Sequence, residues 1–203
     1  YEYLNKTVNC VILGSGKGSN ARAILEASTQ QFLGNTKIKA IFSDQPNAKI
    51  LSIADSFAIP ARHVSLDEDS AFISSEESSA LFEIINEYSP NLIVLAGFMK
   101  ILPVDFIDKF QGQIINIHPS LLPSFKGLNA IKRAFDHGVK ITGCTVHVVT
   151  GKIDDGKIIA QAPVRVMETD SLESVTQKIH AAEHVLLPSV IAKISQEYIK
   201  LSQ

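Results

Sequence analysis

Residues 8–20 read VNCVILGSGKGSN: a run of strand character, VNCVILG, breaks on Gly14 and passes Gly16 and Gly18 before Ser19 and Asn20. The run is too short for a buried helix, and its Val and Ile suit a strand covered on both faces, as in a parallel sheet. Helical spacing follows at once. Ala21, Ile24 and Leu25 fall on one side of a helix predicted over 19–32. Strand, tight turn and helix in that order make half of a βαβ unit, which sets the fold class if the pattern recurs.

It does recur. TKIKAIFSD (36–44) reads as a strand, 47–57 as a helix, ARHVS (61–65) as a short strand, 76–88 as a helix carrying Leu81, Phe82, Ile84 and Ile85, and NLIVLAGF (91–98) as a central strand. A short helix over 103–110, with Pro103 in its first turn, returns the chain to the strand QIINIH (113–118). After a helix over 128–137 the rhythm changes. KITGCTVHVVT (140–150) and GKIIAQAPVRV (156–166) follow one another with only a Gly/Asp turn between them, which is a hairpin and not a crossover. A last helix is predicted over 171–194, with Ser171 and Ser174 as caps and Pro188 kinking it or opening a new segment. The polar patch at 65–80 reads either as a mobile surface loop or as a capped helix start. The expected fold is α/β: a doubly wound, mostly parallel, Rossmann-like sheet with a late antiparallel hairpin and a C-terminal helix, forming one domain over 1–203. Ligand sites in such sheets lie at the carboxyl ends of the strands.

Composition narrows the partners. Lys and Arg total 19 against 21 Asp and Glu, a net charge of −2, so nothing announces a nucleic-acid or anionic-membrane surface, and an anionic ligand must be held locally. No apolar run approaches the ~20 residues needed to cross a bilayer, and the opening YEYLNKTVN lacks a signal-peptide pattern. Cys10 and Cys144 sit in apolar strands, where free thiols behave as small hydrophobes, so a reducing, cytoplasmic setting is expected. The absence of Met at position 1 leaves open whether the chain was cut from a longer multifunctional protein.

Three places offer chemistry. GSGKGSN (14–20) would turn the amides of Lys17, Gly18, Ser19 and Asn20 outward at a helix start, a geometry suited to phosphate; the bland reading is a tight turn capped by Ser19. It is neither GxGxxG nor a P-loop. Asn116 and His118 share one face of a strand, with Ile115 and Ile117 on the other, so an amide donor for an oxyanion stands beside a proton-moving imidazole. A lone strand histidine is more often simply tied to a backbone carbonyl. Third, Asp154 or Asp155 in TGKIDDGK could reach His118 if the hairpin folds over that strand end, although Asp-Gly is also a common turn without chemistry. The remaining histidines, His63, His137, His147, His180 and His184, show no metal-ligand spacing, and no GxSxG elbow occurs. No metal is expected.

Taken together, GSGKGSN, LAGFMKIL (95–102), NIHPSLLPSFKG (116–127) and TGCTVHVVTGKIDDGKIIAQ (142–161) resemble the folate-dependent formyltransferases, and among them the glycinamide ribonucleotide formyltransferases of purine synthesis. The resemblance spans nearly the whole chain. It lacks the Arg-Gly-x-x-Pro continuation and basic C-terminal domain of the methionyl-tRNA branch, and the regulatory domain of the deformylases. It implies a catalytic trio of Asn116, His118 and Asp154, Asp154 being preferred over Asp155 by the D-x-G register. It also implies phosphate held by the amides of Lys17, Gly18, Ser19 and Asn20, ribose hydroxyls held by Glu183, and a folate slot lined by Phe98, Met99, Lys100, Ile101, Leu102, Ile107 and Asn116. Residues 1–100 would then be the phosphate-binding half and 101–203 the catalytic and folate-binding half. Lys100 stands where an arginine is common, and Ser74 where relatives often offer a basic residue to the phosphate. The implied partners are small molecules, with 10-formyltetrahydrofolate as co-substrate, no nucleic acid, no membrane, and a monomer or homodimer. The competing readings are a formyl-folate hydrolase using the same trio on water, and a non-catalytic folate or nucleotide-binding module.

Overall fold

A computed structural model describes residues 7–201; the opening residues 1–6, on which part of the signal-peptide reading rests, lie outside the described residues. The chain runs β1 (Val8–Leu13), α1 (Ser19–Thr29), β2 (Thr36–Ser43), α2 (Lys49–Ser56), β3 (Ala61–His63), α3 (Ser75–Asn86), β4 (Leu92–Leu95), α4 (Val104–Lys109), β5 (Gln113–His118), α5 (Ala130–His137), β6 (Ile141–Val148), β7 (Ile158–Arg165) and α6 (Leu172–Leu201). The strands form one seven-stranded sheet in the order β3-β2-β1-β4-β5-β6-β7. Pairing is parallel from β3 to β5 and antiparallel from β5 through β7.

Period two sorts the apolar side chains onto two faces. Cys10, Ile12, Val94, Ile115 and Ile117 pack on one face with Ile24, Ile50, Ile179 and Ile191. Val11, Leu13, Ile93, Leu95 and Ile114 pack on the other with Leu81, Phe82 and Phe106. Both faces are therefore covered, which is why these strands read as nearly unbroken apolar runs. The order of strands reverses beside β1, and the crevice where ligands bind in doubly wound sheets opens at the ends of β1 and β4. The two loops there are laced together: Ser15 N–H donates to the Gly97 carbonyl at 3.0 Å, and Met99 N–H donates to Ser15 Oγ at 2.8 Å.

Several boundaries differ from the sequence reading. Helix α1 stops at Thr29, because the following residues close into a turn in which Phe32 N–H reaches the Ala27 carbonyl and Gln31 adopts φ 59°. Ser19 does not cap it: Gly18, left-handed at φ 72°, occupies that position with no side-chain bond. The patch at 65–80 resolves in favour of a capped start, since Ser74 Oγ accepts from Glu77 N–H and the Glu77 carboxylate accepts from Ser74 N–H. Ser171 caps α6, accepting from Ser174 N–H at 3.1 Å. Helix α6 then passes through Pro188 without starting a new segment and continues to Leu201. Between β6 and β7 the connection is longer than a Gly/Asp turn, occupying 149–157, because its residues leave the ladder to reach the end of β5.

Candidate active site

The loop after β1 is shaped by glycines with different duties. A Cβ on Gly14 would sit 2.8 Å from the Ala96 carbonyl oxygen, and one on Gly18 would sit 2.8 Å from Ile50 Cα, whereas Gly16 has nothing within 4 Å. Two glycines are thus required by close packing, and the third leaves open space beside the backbone. The Gly18 carbonyl accepts from Arg22 N–H, so α1 begins there and its first-turn amides have no intrahelical acceptor. That helix start, with its positive dipole end, is an anion-ready surface.

Helix α6 reaches the same loop from the far end of the chain. Asn20 Nδ2 donates to Glu183 Oε2 at 3.0 Å, while the buried Asn20 Oδ1 has no partner among the described residues. Glu183 is only 4% exposed. Burial raises its pKa above the usual carboxylate range, opposed by the Asn20 hydrogen bond and the charge of His180.

The residues after β4 divide sharply. Leu102, Phe98 and Ile107 pack into the core on the α3 and α4 side, and Met99 is exposed. Lys100 is buried, with Nζ donating to the carbonyls of Asp67 at 2.5 Å and Ser70 at 2.6 Å. Ile101 N–H donates to the Ala71 carbonyl. Lys100 therefore spends its ammonium on the 67–70 loop. Ser74, helix cap of α3, has its hydroxyl committed to Glu77.

At the end of β5 the antiparallel neighbour decides the geometry. Asn116 pairs in register with His147, and His118 with Thr145. His118 Nδ1 lies 3.2 Å from Asp154 Oδ2, and its Nε2 lies 2.9 Å from the Phe125 carbonyl oxygen. This histidine therefore meets a carboxylate and a backbone carbonyl at once. Asp154, in the left-handed region at φ 48°, also accepts from Gly127 N–H at 2.8 Å. Burial pushes the Asp154 pKa up, but hydrogen bonding from His147 and Gly127 and the charges of both rings win and hold it below the ordinary value. Asp155 points elsewhere, in an ion pair with Lys126. The structure thus brings Asn116, His118 and Asp154 together and leaves Asp155 outside.

His147 is the residue that the sequence reading missed. Its Nε2 lies 3.3 Å from Asn116 Nδ2 and 3.4 Å from Asp154 Oδ1, and its Nδ1 lies 2.9 Å from the Val148 carbonyl oxygen. Alternation of Thr145 and His147 in an apolar strand was a visible signal, but only the pairing register shows what they face. Thr145 braces the PSLLPS loop: its hydroxyl donates to the Ser120 carbonyl and accepts from Leu122 N–H, and Gln161 donates to the Leu122 carbonyl. That brace sets the position of the Phe125 carbonyl against His118.

Two cavities open beside the loop after β1. One of about 670 Å³ runs from Lys17 and Ser19 along α1 to His184, and one of about 440 Å³ lies among Ser15, Asp44, Met99 and Lys100. Asn116, His118 and Asp154 line neither; the first two stand at the end of β5 and the third in the β6–β7 connection. Among the described residues no group of three or more His, Cys, Asp or Glu is arranged to hold a metal ion, and no helix is long and apolar enough to cross a membrane. Both cysteines are free and buried, and burial pushes the Cys144 thiol up to about 12, so neither offers a ready thiolate.

Comparison with known proteins gives a consistent picture. Residues 8–191 match the family described as Formyl transferase. The chain is 37% identical over 186 residues to "Phosphoribosylglycinamide formyltransferase" of Bacillus subtilis, covering 90% of this chain and 92% of that protein. It is 36% identical to "Trifunctional purine biosynthetic protein adenosine-3" of Bos taurus, covering 98% of this chain but 19% of that protein. The chain thus spans about a fifth of the length of its trifunctional relatives. Among solved structures, phosphoribosylglycinamide formyltransferase from Anaplasma phagocytophilum superposes with a TM-score of 0.84 at 41% identity, covering 95% of this chain and 89% of that one.

Proposed function

Because this chain belongs to the formyl transferase family, we propose that it transfers the formyl group of 10-formyltetrahydrofolate to the amine of 5'-phosphoribosylglycinamide, a step of purine biosynthesis. The observation that carries the reading is the contact of Asp154 with His118, beside Asn116, at the end of the sheet that also presents the anion-ready start of α1. The amides of Lys17, Gly18, Ser19 and Asn20 hold the phosphate and Glu183 the ribose hydroxyls. The folate pterin lies along Phe98, Met99, Lys100, Ile101, Leu102 and Ile107, with Asn116 between the two ligands. Residues 1–100 chiefly hold the phosphate and 101–203 the folate and the chemistry, with Glu183 reaching back across that division and Phe98, Met99 and Lys100 reaching forward.

The amine attacks the formyl carbon, forming the new C–N bond and a tetrahedral centre whose oxygen carries negative charge. Asn116 Nδ2–H and His118 Nε2–H stabilise that oxygen, the latter exchanging the Phe125 carbonyl for it. Asp154 holds the imidazole and, through water, helps carry the proton lost by the amine to the folate nitrogen as the old C–N bond breaks. No covalent enzyme intermediate is needed. Removing an oxyanion donor costs about 3–4 kcal/mol, so Asn116→Ala or His118→Ala lowers turnover on the order of 10²–10³-fold. The assay is formyl-folate consumption with and without the ribonucleotide. Full activity in either variant defeats this mechanism, consumption that ignores the ribonucleotide identifies a hydrolase, and no turnover with intact binding identifies a binding module.

A further inference from the structure

The cavity of about 670 Å³ beside the loop after β1 carries more charge than the protein around it. Lys17 and Ser19 line it from the loop, Arg22 and Glu26 from α1, and Lys49 and Ser52 from α2. Lys17, Arg22 and Lys49 are exposed, and among the described residues none of the three has an ion-pair or side-chain hydrogen-bond partner. Other surface cations are already spent, Lys126 on Asp155, Lys132 on Asp136 and Lys178 on Asp170. The backbone fixes where the unspent ones stand. Ile50 N–H donates to the Gly16 carbonyl at 3.2 Å, which holds the start of α2, and with it Lys49, against the loop. Arg22 N–H donates to the Gly18 carbonyl at 2.8 Å, closing the first turn of α1 three residues after Ser19. Along α1 the lining then changes sign, with Glu26 one turn beyond Arg22 and the neutral Gln30 one turn beyond that. Positive charge is therefore gathered at the loop end of the cavity. Neither α1 nor α2 has a side-chain cap or an acid in its first turn to meet it.

We propose that Arg22 and Lys49, with the side chain of Lys17, form a cationic rim that draws in the substrate's phosphate and holds it at the start of α1. The identity of that substrate rests on the formyl transfer proposed above; the rim as a phosphate site does not. A chain with a net charge of −2 repels a dianion as a whole, so the attraction has to come from a local patch. Ser74 supplies none of it, its hydroxyl being committed to Glu77. Because the rim meets the phosphate and not the reacting atoms, it contributes to binding and leaves the chemical step alone.

Two measurements test this. In kinetics, Arg22→Gln and Lys49→Gln are each expected to raise KM for the ribonucleotide about two- to fivefold, and the double variant about tenfold, with kcat and the KM for formyl-folate unchanged. At about 1 M salt, where screening cuts the reach of a charge to ~3 Å, the gap between wild type and the double variant narrows to about twofold. Lys37→Gln is the control: it removes the same charge from β2, where Lys37 pairs with Asn9 at the far end of β1 from the loop. A wild-type KM in the double variant, or an equal rise in Lys37→Gln, overturns the rim. The second measurement needs no turnover: inorganic phosphate is titrated into the resting protein while the amide NMR signals of residues 17–20 are followed. They are expected to shift, with a dissociation constant several-fold lower in wild type than in the folded double variant. Equal constants, or no shift at 17–20, overturn the proposal whether or not the protein transfers formyl groups. Phosphate binding that depends on the rim, in a protein without formyl transfer, supports the rim and sinks only the formyl-transfer reading.

Discussion

Replacing Gly18 by alanine tests the phosphate loop and the fold at once. Gly18 adopts φ 72°, and an added Cβ would stand 2.8 Å from Ile50 Cα and 2.9 Å from Ile50 Cβ. A left-handed backbone costs a non-glycine residue about 1–2 kcal/mol, and forcing a methyl against the start of α2 adds about 1–3 kcal/mol. The sum centres near ~3.5 kcal/mol, which for a chain of this length lowers the melting temperature by about 7–14 °C. Gly16→Ala is the control: nothing lies within 4 Å of its Cβ, so its melting temperature is expected to stay within about 2 °C of wild type. The second readout is KM for the ribonucleotide. Relief of the Gly18 clash displaces the amides proposed to receive the phosphate, and losing a charge-assisted hydrogen bond of about 1.5–3 kcal/mol raises KM roughly 10- to 100-fold. Equal melting temperatures for the two variants would refute the packing argument, and a wild-type KM in Gly18→Ala would refute the loop as the phosphate site.

Glu183→Gln separates stability from function. A buried carboxyl whose folded pKa is raised favours the protein while protonated and loses that contribution as pH rises from its ordinary value near 4.5 through the folded one. The glutamine variant is expected to equal or exceed wild-type stability in urea titrations at neutral pH, with the advantage vanishing in acid, while KM for the ribonucleotide rises. A glutamine variant less stable than wild type at neutral pH and equal to it in acid would reverse the assigned sign. Lys100→Met removes the donor shared by the Asp67 and Ser70 carbonyls and is expected to cost about 2 kcal/mol, seen as a lower melting temperature and faster amide exchange across 66–71. Unchanged exchange there would mean that the loop holds itself.

Much of the architecture was legible locally. The strand-glycine-helix order of residues 8–20 and its recurrence mark a parallel sheet, and the closely spaced runs 140–150 and 156–166 mark the antiparallel pair β6–β7, whereas the antiparallel pairing of β5 with β6 is visible only in the sheet. Alternation alone places Asn116 and His118 on one face, because the side-chain period of a strand is a property of the backbone itself. Helix ends were less legible. Ser19 looked like a cap, yet Gly18 in the left-handed region took that place, since the packing of Ile50 against the loop leaves no room for a side chain there.

The contacts that make the site were settled elsewhere. The sequence by itself determined the element types, their order, the glycine loop and the faces on which the polar residues stand. Only the tertiary structure decided that Asp154 and not Asp155 meets His118, that His147 stands opposite Asn116, that Glu183 of α6 closes on Asn20, and that Lys100 turns its charge to the 67–70 loop. The physical reason is one of range. Periodicity and turn chemistry act over a few neighbouring residues, whereas these pairings join positions about 30 to 163 residues apart, and strand register, loop closure and helix packing select them only when the whole sheet assembles.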